Sequence, residues 1–282
     1  MSVKTDLQNQ IAYCNTKLAE KGVTQTAIGV KGVGDLIESI RGKNIVKGIT
    51  YLYGTFLNGG VEELDLDFEN GVVSFNNNLP IFSSSNIKKL RIANVTFSSN
   101  ASNTNGLFKD MPNLEELILE NVDMSNGNRF GSGIRNTKIS RFVAQQLPKG
   151  EFQYMTMECP NLKYVEGDFS RATDLGATFY APIETIKYLD CSSCTGFSNT
   201  FTRCDTLKNI TFAPECIKFS VSFANCALLT DDSIQSIVDG LAPVTTSQTI
   251  TFHDTVRNKL TDKQKGDIWD KGWNIAGLTK PE

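Results

Sequence analysis

Leu114-Glu-Glu-Leu117-Ile-Leu119 is the stretch of sequence that decides the fold. It begins with one apolar residue and two polar residues, and it ends with two apolar residues that are separated by one variable position. Apolar residues with a period of two are typical of a β-strand with one face in a core, and the leading apolar residue closes the preceding turn over that core. The same pattern occurs seven times, beginning at Val61, Ile87, Leu114, Ile139, Leu162, Ile186 and Leu207.

Successive copies begin 21 to 27 residues apart, which predicts a repeat architecture with one coil per copy. Each coil is expected to add one parallel strand to a shared interior, so the predicted fold is an α/β solenoid over residues 44–228, with residues 44–58 as a degenerate first coil or lid. Ser, Asn, Thr and Gly are frequent between the copies, which predicts irregular or short helical turns on the outer face.

The exposed positions of the copies also follow an order. The residues that directly precede the central apolar position are Glu63, Lys89, Glu116, Arg141, Tyr164, Tyr188 and Asn209. Strands of a parallel sheet lie about 4.8 Å apart, so we expect these side chains to be lateral neighbours, with alternating charges followed by a pair of tyrosines. Asp65 beside Arg91 repeats the charge pattern two positions further along the strands.

Two further columns are predicted inside the solenoid. Three residues before a copy lies a small or flexible apolar residue, namely Met111, Cys159, Ile183, Cys204 or Cys226. Six residues before lies an aromatic residue, namely Phe108, Tyr180, Phe201 or Phe223. Because the spacing repeats, we expect one column of stacked aromatic rings and one of small apolar side chains beneath the turns.

The C-terminal residues 229–282 are predicted to form a helix-backed cap. Thr230 precedes two aspartates and a helical apolar spacing that runs to Leu241, which is typical of a capped helix. Residues 249–252 are predicted to form a strand, residues 260–271 a second capped helix and residues 273–275 a final strand. A solenoid needs such a cap because its last coil would otherwise leave one side of the core in water.

The N-terminal residues 1–43 are predicted to form a helical segment for oligomerisation or attachment. Leu7, Ile11, Cys14 and Leu18 follow the steps of four, three and four that are typical of a coiled-coil seam. The alternative is an amphipathic helix that folds back onto its own solenoid.

Composition excludes several partner classes. The chain has 28 Lys and Arg against 31 Asp and Glu, a net charge of −3, and no run of like charge, so neither nucleic acid nor an acidic membrane surface is an expected partner. No apolar run is long enough for a membrane span or a secretory signal, so we expect folding in the cytoplasm. Seven cysteines without paired spacing favour buried, reduced thiols.

Phe201-Thr-Arg-Cys204-Asp-Thr-Leu207 and Phe223-Ala-Asn-Cys226 resemble the BspA-like class of bacterial leucine-rich repeats, and the likeness covers residues 61 to about 230. The segments from Leu229 to Leu241 and from Leu260 to Trp273 are similar to the C-terminal module of many phage and prophage structural proteins. Leu18-Ala-Glu-Lys-Gly-Val23, followed by Gly34-Asp-Leu-Ile37, resembles the N-terminal segment of tail or fibre proteins.

The resemblance implies a non-enzymatic virion protein of tail, baseplate or fibre type, assembled in the cytoplasm of the bacterial host. Its implied partners are other virion proteins, bound through the N-terminal segment, and a ligand on the bacterial surface. By family analogy it is a homo-oligomer, with a trimer favoured. The alternative is a bacterial BspA-type adhesin, which the missing secretion signal and wall anchor disfavour. A polysaccharide-degrading tail enzyme is the third hypothesis.

Patterns that suggest chemistry have simpler explanations in this sequence. Cys191-Ser-Ser-Cys194 has a spacing that suits zinc or thiol exchange, but Cys191 falls on an inward strand position and no second pair follows. His253 is the single histidine and is expected at the surface or in the cap. The carboxylate pairs Glu116 with Glu120 and Glu166 with Asp168 are expected on a solvated strand face. The sequence therefore predicts no catalytic residue, metal ligand or cofactor site.

The best candidates for recognition are outward residues of the later copies. Exposed aromatic side chains suit contact with a protein or a sugar, because they bury a large apolar area and keep a polar group at one end. We therefore predict a recognition face of Arg141, Tyr164, Glu166, Tyr188 and Asp190.

Overall fold

The computed structural model describes residues 51–52, 62–75, 86–97 and 106–281. The predicted N-terminal helix lies outside the described residues, together with its stripe of Leu7, Ile11, Cys14 and Leu18. The same holds for most of the predicted lid at residues 44–58, of which only Tyr51 and Leu52 are described.

Parallel strands dominate the described residues. The strands are β1 (Tyr51–Leu52), β2 (Glu63–Phe75), β3 (Lys89–Phe97), β4 (Glu116–Asp123), β5 (Arg141–Ala144), β6 (Gly150–Glu151), β7 (Tyr164–Gly167), β8 (Ala172–Asp174), β9 (Thr185–Leu189), β10 (Asn209–Phe212), β11 (Val221–Phe223), β12 (Gln248–Phe252) and β13 (Trp273–Ile275). They form sheets in the orders β1-β2-β3-β4, β5-β7-β9-β10, β6-β8 and β11-β12-β13. Each pairing is parallel and joins segments that follow one another along the chain, which is compatible with a solenoid.

The predicted lateral register is confirmed in the first sheet. Glu63 pairs with Lys89 and Lys89 with Glu116, so the alternating charges are direct neighbours. The leucines one position on, Leu64, Leu90 and Leu117, pair in the same way. Apolar and charged positions both specify this register, because a slip of one residue would turn the leucines out of the core.

The predicted register of β9 is wrong. Tyr164 pairs with Thr185 rather than Tyr188, and Val165 pairs with Ile186, so this copy is shifted by three residues. Ile183 is buried at the leading position, and Ile183-Glu-Thr-Ile186 fits the pattern as well as Ile186-Lys-Tyr-Leu189 does. Periodicity alone cannot choose between two apolar residues three positions apart.

The interior contains a column of stacked phenylalanine rings. Phe201 lies 4.6 Å from Phe223 and 5.6 Å from Phe179 between ring centroids, and Phe223 lies 6.2 Å from Phe252. The prediction is confirmed for Phe201 and Phe223, whereas Tyr180 was wrongly placed: Phe179 occupies the column and Tyr180 is half-buried. Each aromatic pair contributes roughly 0.5–1.5 kcal/mol beyond its buried area.

The turns between the strands stack as regularly as the strands do. Ser132, Tyr154, Ala177 and Asn199 recur every 22 or 23 residues with φ between 49° and 58°. Backbone N–H groups of this part donate to the next segment, as from Tyr154 to the carbonyl of Ala177 at 3.2 Å. The expected irregular turns are therefore joined to one another by their own ladder of hydrogen bonds.

The C-terminal cap contains α1 (Asp231–Gly240), α2 (Asp254–Arg257) and α3 (Asp262–Asp270). The predictions of α1, α3, β12 and β13 are confirmed, and Thr261 forms a capping box with Gln264. The short α2 was not predicted. His253 is its N-cap, where Nδ1 accepts a hydrogen bond of 3.1 Å from the N–H of Thr255.

Helix α1 closes the edge of β10 with serine side chains. The N–H of Ile210 donates to Ser233 Oγ at 3.0 Å, and the N–H of Phe212 donates to Ser236 Oγ at 2.8 Å. Ser233 Oγ also donates to the carbonyl of Lys208 at 3.0 Å. The two hydroxyls thus satisfy strand groups that a following strand would otherwise pair.

We expect the substitution Ser233→Ala to lower the free energy of unfolding by about 2 kcal/mol, because it leaves the buried N–H of Ile210 without an acceptor. Urea denaturation of the wild type and the variant measures this difference. Ser247→Ala, which removes an exposed hydroxyl bonded to Asn274, is the control and should cost below about 0.5 kcal/mol. Equal losses in the two variants would contradict the closure of the edge by α1.

Candidate functional site

Four side chains form a connected group, here called the polar cluster, on the outer face of the sheet β5-β7-β9-β10: Arg141, Tyr164, Glu166 and Lys187. The guanidinium Cζ of Arg141 lies 4.4 Å from the centroid of the Tyr164 ring. Tyr164 Oη donates to Glu166 Oε2 at 2.6 Å, and Lys187 Nζ donates to Glu166 Oε1 at 2.9 Å. Arg141 Nη2 lies 3.6 Å from Glu166 Oε2.

Strand geometry explains why these residues meet. Tyr164 and Glu166 flank the buried Val165, so their side chains leave the same face of β7. Arg141 is the register partner of Tyr164, and Lys187 is the register partner of Glu166. Adjacent strands therefore supply one aromatic residue, one carboxylate and two cations to a single patch.

The sequence placed three of the four residues on one face. Arg141, Tyr164 and Glu166 were predicted there, and the structure brings them into contact. Lys187 was missed because the predicted register of β9 aligned it away from Glu166. The signal that would have found it is the second apolar frame beginning at Ile183.

The cluster holds Glu166 as an anion. The hydrogen bond from Tyr164 and then the one from Lys187 lower the pKa of the Glu166 carboxyl. Burial and the bond to Glu166 raise the pKa of Tyr164. A general acid for glycoside cleavage needs a raised pKa, so this environment argues against Glu166 in that role.

We expect the stability difference between the wild type and Glu166→Gln to shrink as the pH falls. The folded-state pKa of Glu166 is depressed below its ordinary value of 4.5, so its contribution is present above that pH and is lost as the pH falls through the folded-state pKa. Urea denaturation at about pH 7, 4.5 and 3.5 measures this. The exposed Glu115→Gln is the control, and parallel curves for wild type and Glu166→Gln would contradict the prediction.

Tyr188 lies next to the cluster in sequence and exposes its ring. Opposite it, β10 shifts register between Ile210 and Phe212, so the two residues Lys187 and Tyr188 face a single residue of β10. Tyr188 has φ 53° and is 55% exposed, whereas Ile186 and Leu189 on either side are buried. A bulge of this kind re-aims a side chain outward at a backbone cost of about 1–2 kcal/mol.

Asp190 was predicted on the recognition face, but its hydrogen bond lies in the turn that follows β9. Its Oδ1 accepts a hydrogen bond of 2.9 Å from the N–H of Ser192. This contact shapes the turn after β9. Asp190 is therefore better explained as a turn residue than as a member of the cluster.

The charged face of the first sheet is internally paired. Arg91 contacts Asp65 at 2.6 Å and Glu120 at 2.5 Å, which lowers the pKa of Glu120. Asn121 donates to Asn94 at 2.9 Å. Exposed pairs of this kind contribute about 0–1 kcal/mol each, and they leave this face well solvated, as predicted.

The Cys191-Ser-Ser-Cys194 motif does not converge on one point. Cys191 Sγ lies 3.2 Å from Cys216 Sγ in the following segment, whereas Cys194 Sγ donates to the carbonyl of Ala172 in the preceding segment. Across the described ranges, no group of three or more His, Cys, Asp or Glu side chains is arranged to hold a metal ion.

An open groove of about 330 Å³, which the sequence analysis did not predict, lies beside Pro160, Tyr180 and Pro182. Arg203 borders it, and its Nε donates to Tyr180 Oη at 3.1 Å. Glu158, which also lines the groove, is paired with Arg135 at 3.0 Å. The repeated proline before the leading apolar residue is the sequence signal that marks this surface.

Comparison with known proteins adds no relative. Among the described residues, no helix has the length and apolarity to cross a membrane. Because no relative is found, the function must be inferred from the chain's own geometry. The chain matches no protein-family model, no curated protein and no solved structure.

Proposed function

We propose that this chain is a non-enzymatic structural protein of a phage virion, in the tail, baseplate or fibre, and that its outer sheet face binds a ligand on the bacterial surface. We propose further that the stacked segments are coils of a leucine-rich-repeat solenoid of the BspA-like class. Parallel pairing between successive segments and a continuous apolar interior support the solenoid.

The observation that carries the binding proposal is the exposed Tyr188, which directly follows Lys187 of the polar cluster in the sequence. Arg141, Tyr164 and Lys187 each contact a neighbour within the cluster, so each has a contact partner before any ligand arrives. Such preorganisation reduces the entropy that binding costs. Tyrosine and arginine are also among the residue types enriched at binding hot spots.

The attachment half of the proposal rests on the N-terminal sequence. Leu7, Ile11, Cys14 and Leu18 have coiled-coil spacing, and the resemblance to tail and fibre proteins begins in the same segment. We propose that residues 1–43 join the chain to other virion proteins or to further copies of itself, with a trimer favoured.

Mass spectrometry of purified virions tests the virion assignment. Peptides of this chain should be recovered from particles purified from the phage that encodes it. Their absence from the particles would reject the assignment. Recovery from the surface of uninfected bacteria instead would favour a BspA-type adhesin.

We expect deletion of residues 1–42 to abolish oligomerisation and particle attachment while leaving the rest of the chain folded. The reason is that the coiled-coil stripe lies wholly within the deleted segment. Light scattering measures the oligomeric state, circular dichroism checks the fold, and immunoblots of purified particles measure attachment. A truncated chain that still attaches would contradict the proposal.

A further inference from the structure

Two buried cysteines from neighbouring segments face each other through sulfur. Cys191 Sγ donates a hydrogen bond of 3.2 Å to Cys216 Sγ, across 25 residues of sequence. Both residues are buried, with 0% and 1% of their surface exposed. Cys191 follows β9 and Cys216 follows β10, and the N–H of Ala213 donates to the carbonyl of Leu189 at 3.1 Å, which holds the two turns side by side.

Three other buried thiols donate to backbone carbonyls, a contact that Cys216 Sγ also makes, to Leu189 at 3.5 Å. Cys159, Cys194 and Cys204 donate to the carbonyls of Ile134, Ala172 and Phe179 at 3.0, 3.2 and 3.1 Å. Such contacts satisfy a buried S–H and need no other explanation. The sulfur-to-sulfur contact therefore distinguishes Cys191 and Cys216 from these three thiols.

We propose that Cys191 and Cys216 form an intramolecular disulfide when the folded protein meets an oxidant of the peroxide class. This inference is independent of the proposed virion function. Disulfides need Cα atoms roughly 4.4–6.8 Å apart, and the backbone hydrogen bond from Ala213 to Leu189 brings the two turns side by side. The sulfur atoms need to approach by only about 1 Å to reach the bonded distance of ~2.05 Å.

Both cysteines lie next to strand ends and not within a named strand. Cys216 falls in the turn between β10 and β11, outside the strand ladders, and the preceding Glu215 has φ 52°. Cys191 likewise lies just beyond the end of β9. The pairing of β9 with β10 therefore includes neither cysteine, whereas Ile217, next to Cys216, forms an isolated parallel bridge with Leu241.

The reaction balances with one peroxide and two thiols. Cys216 is the first nucleophile, because the hydrogen bond from Cys191 lowers its pKa, whereas burial raises the pKa of Cys194 to about 12. Its sulfur takes one oxygen from hydrogen peroxide, which gives a sulfenic acid and one water. The sulfur of Cys191 then attacks the sulfur of Cys216, the S–O bond breaks, and a second water leaves with the proton of Cys191.

The product would be a covalent link between two neighbouring segments close to the C-terminal cap. In a reducing compartment the two thiols stay reduced, and in an oxidising compartment the disulfide forms. The chain would then gain stability after it leaves a reducing environment. Because the bond closes a loop of about two dozen residues, we expect the melting temperature to rise by ~5–10 °C.

A peptide map of the full-length protein tests this directly. The reduced protein is treated with hydrogen peroxide, alkylated and digested with trypsin, which separates the peptides Tyr188–Arg203 and Asn209–Lys218. We expect these two peptides to be cross-linked and to lose two hydrogen atoms, with fragment ions assigning the link to Cys191 rather than Cys194. Dithiothreitol should release the link and reverse the rise in melting temperature.

Two variants sharpen the result. Cys216→Ser should abolish the link, while Cys204→Ser removes an equally buried thiol and should retain it. The wild-type map decides the question even if a variant fails to fold. A link to Cys194, a sulfinic acid on Cys216, or recovery of both alkylated peptides after oxidation would overturn the proposal.

Discussion

Replacing Phe201 by alanine is expected to lower the free energy of unfolding by about 3–5 kcal/mol. The ring is 1% exposed and stacks against Phe223 and Phe179 in the segments on either side, with Phe212 meeting it edge-on at 6.5 Å. Its removal leaves a cavity that the two neighbouring segments share. Urea denaturation followed by circular dichroism measures the loss.

Phe219→Ala is the matched control, because Phe219 is the same residue type near the same end of the chain but is 39% exposed. Its substitution should cost below about 1 kcal/mol. The comparison separates stacking in the interior from the general effect of losing a phenylalanine. Similar losses in the two variants would show that Phe201 does not hold neighbouring segments together.

The strand register was predictable where two independent signals agree. In β2, β3 and β4 the apolar positions and the alternating charges of Glu63, Lys89 and Glu116 both specify one alignment, and the structure has it. The capped helices were predictable for a similar reason, since the caps at Thr230 and Thr261 are local chemistry that helical apolar spacing supports.

The register of β9 was not predictable from periodicity. Ile183 and Ile186 are both apolar and lie three residues apart, and both are buried in the fold. The charge order was a signal that the prediction did not use, because the predicted register sets Glu166 beside Asp190, whereas the structure pairs Glu166 with Lys187. The choice depends on the bulge opposite β10, which is a relation between two segments and not a property of either one.

The same limit explains what was missed around the candidate site. Lys187 contacts Glu166, which lies 21 positions away in the sequence, and Cys216 contacts Cys191, which lies 25 positions away. Lateral stacking converts these sequence distances into contact, and the spacing of copies varies by several residues. A shift of one register position therefore changes which residues meet while leaving the predicted fold class intact.

Removing the Tyr188 ring is expected to weaken binding to the proposed bacterial surface ligand by about 10- to 30-fold, with little effect on the fold. Tyr188 is 55% exposed and directly follows Lys187 of the polar cluster, and the left-handed backbone at this residue favours glycine. Tyr188→Gly should therefore lose binding without losing stability. The wild-type protein is first tested for co-sedimentation with a panel of isolated Gram-positive cell walls. Binding of the variant is then measured on a cell wall to which the wild-type protein binds.

Tyr154→Gly is a closely matched control for this experiment. Tyr154 is 46% exposed and has φ 57°, so it matches Tyr188 in type, exposure and backbone, but it lies on the ladder of turns and not on the sheet face. Its loss should leave binding unchanged, because its ring does not adjoin Arg141, Tyr164, Glu166 and Lys187. Equal weakening by the two variants would mean that no particular face is recognised, and unchanged binding of Tyr188→Gly would remove the cluster as the recognition surface.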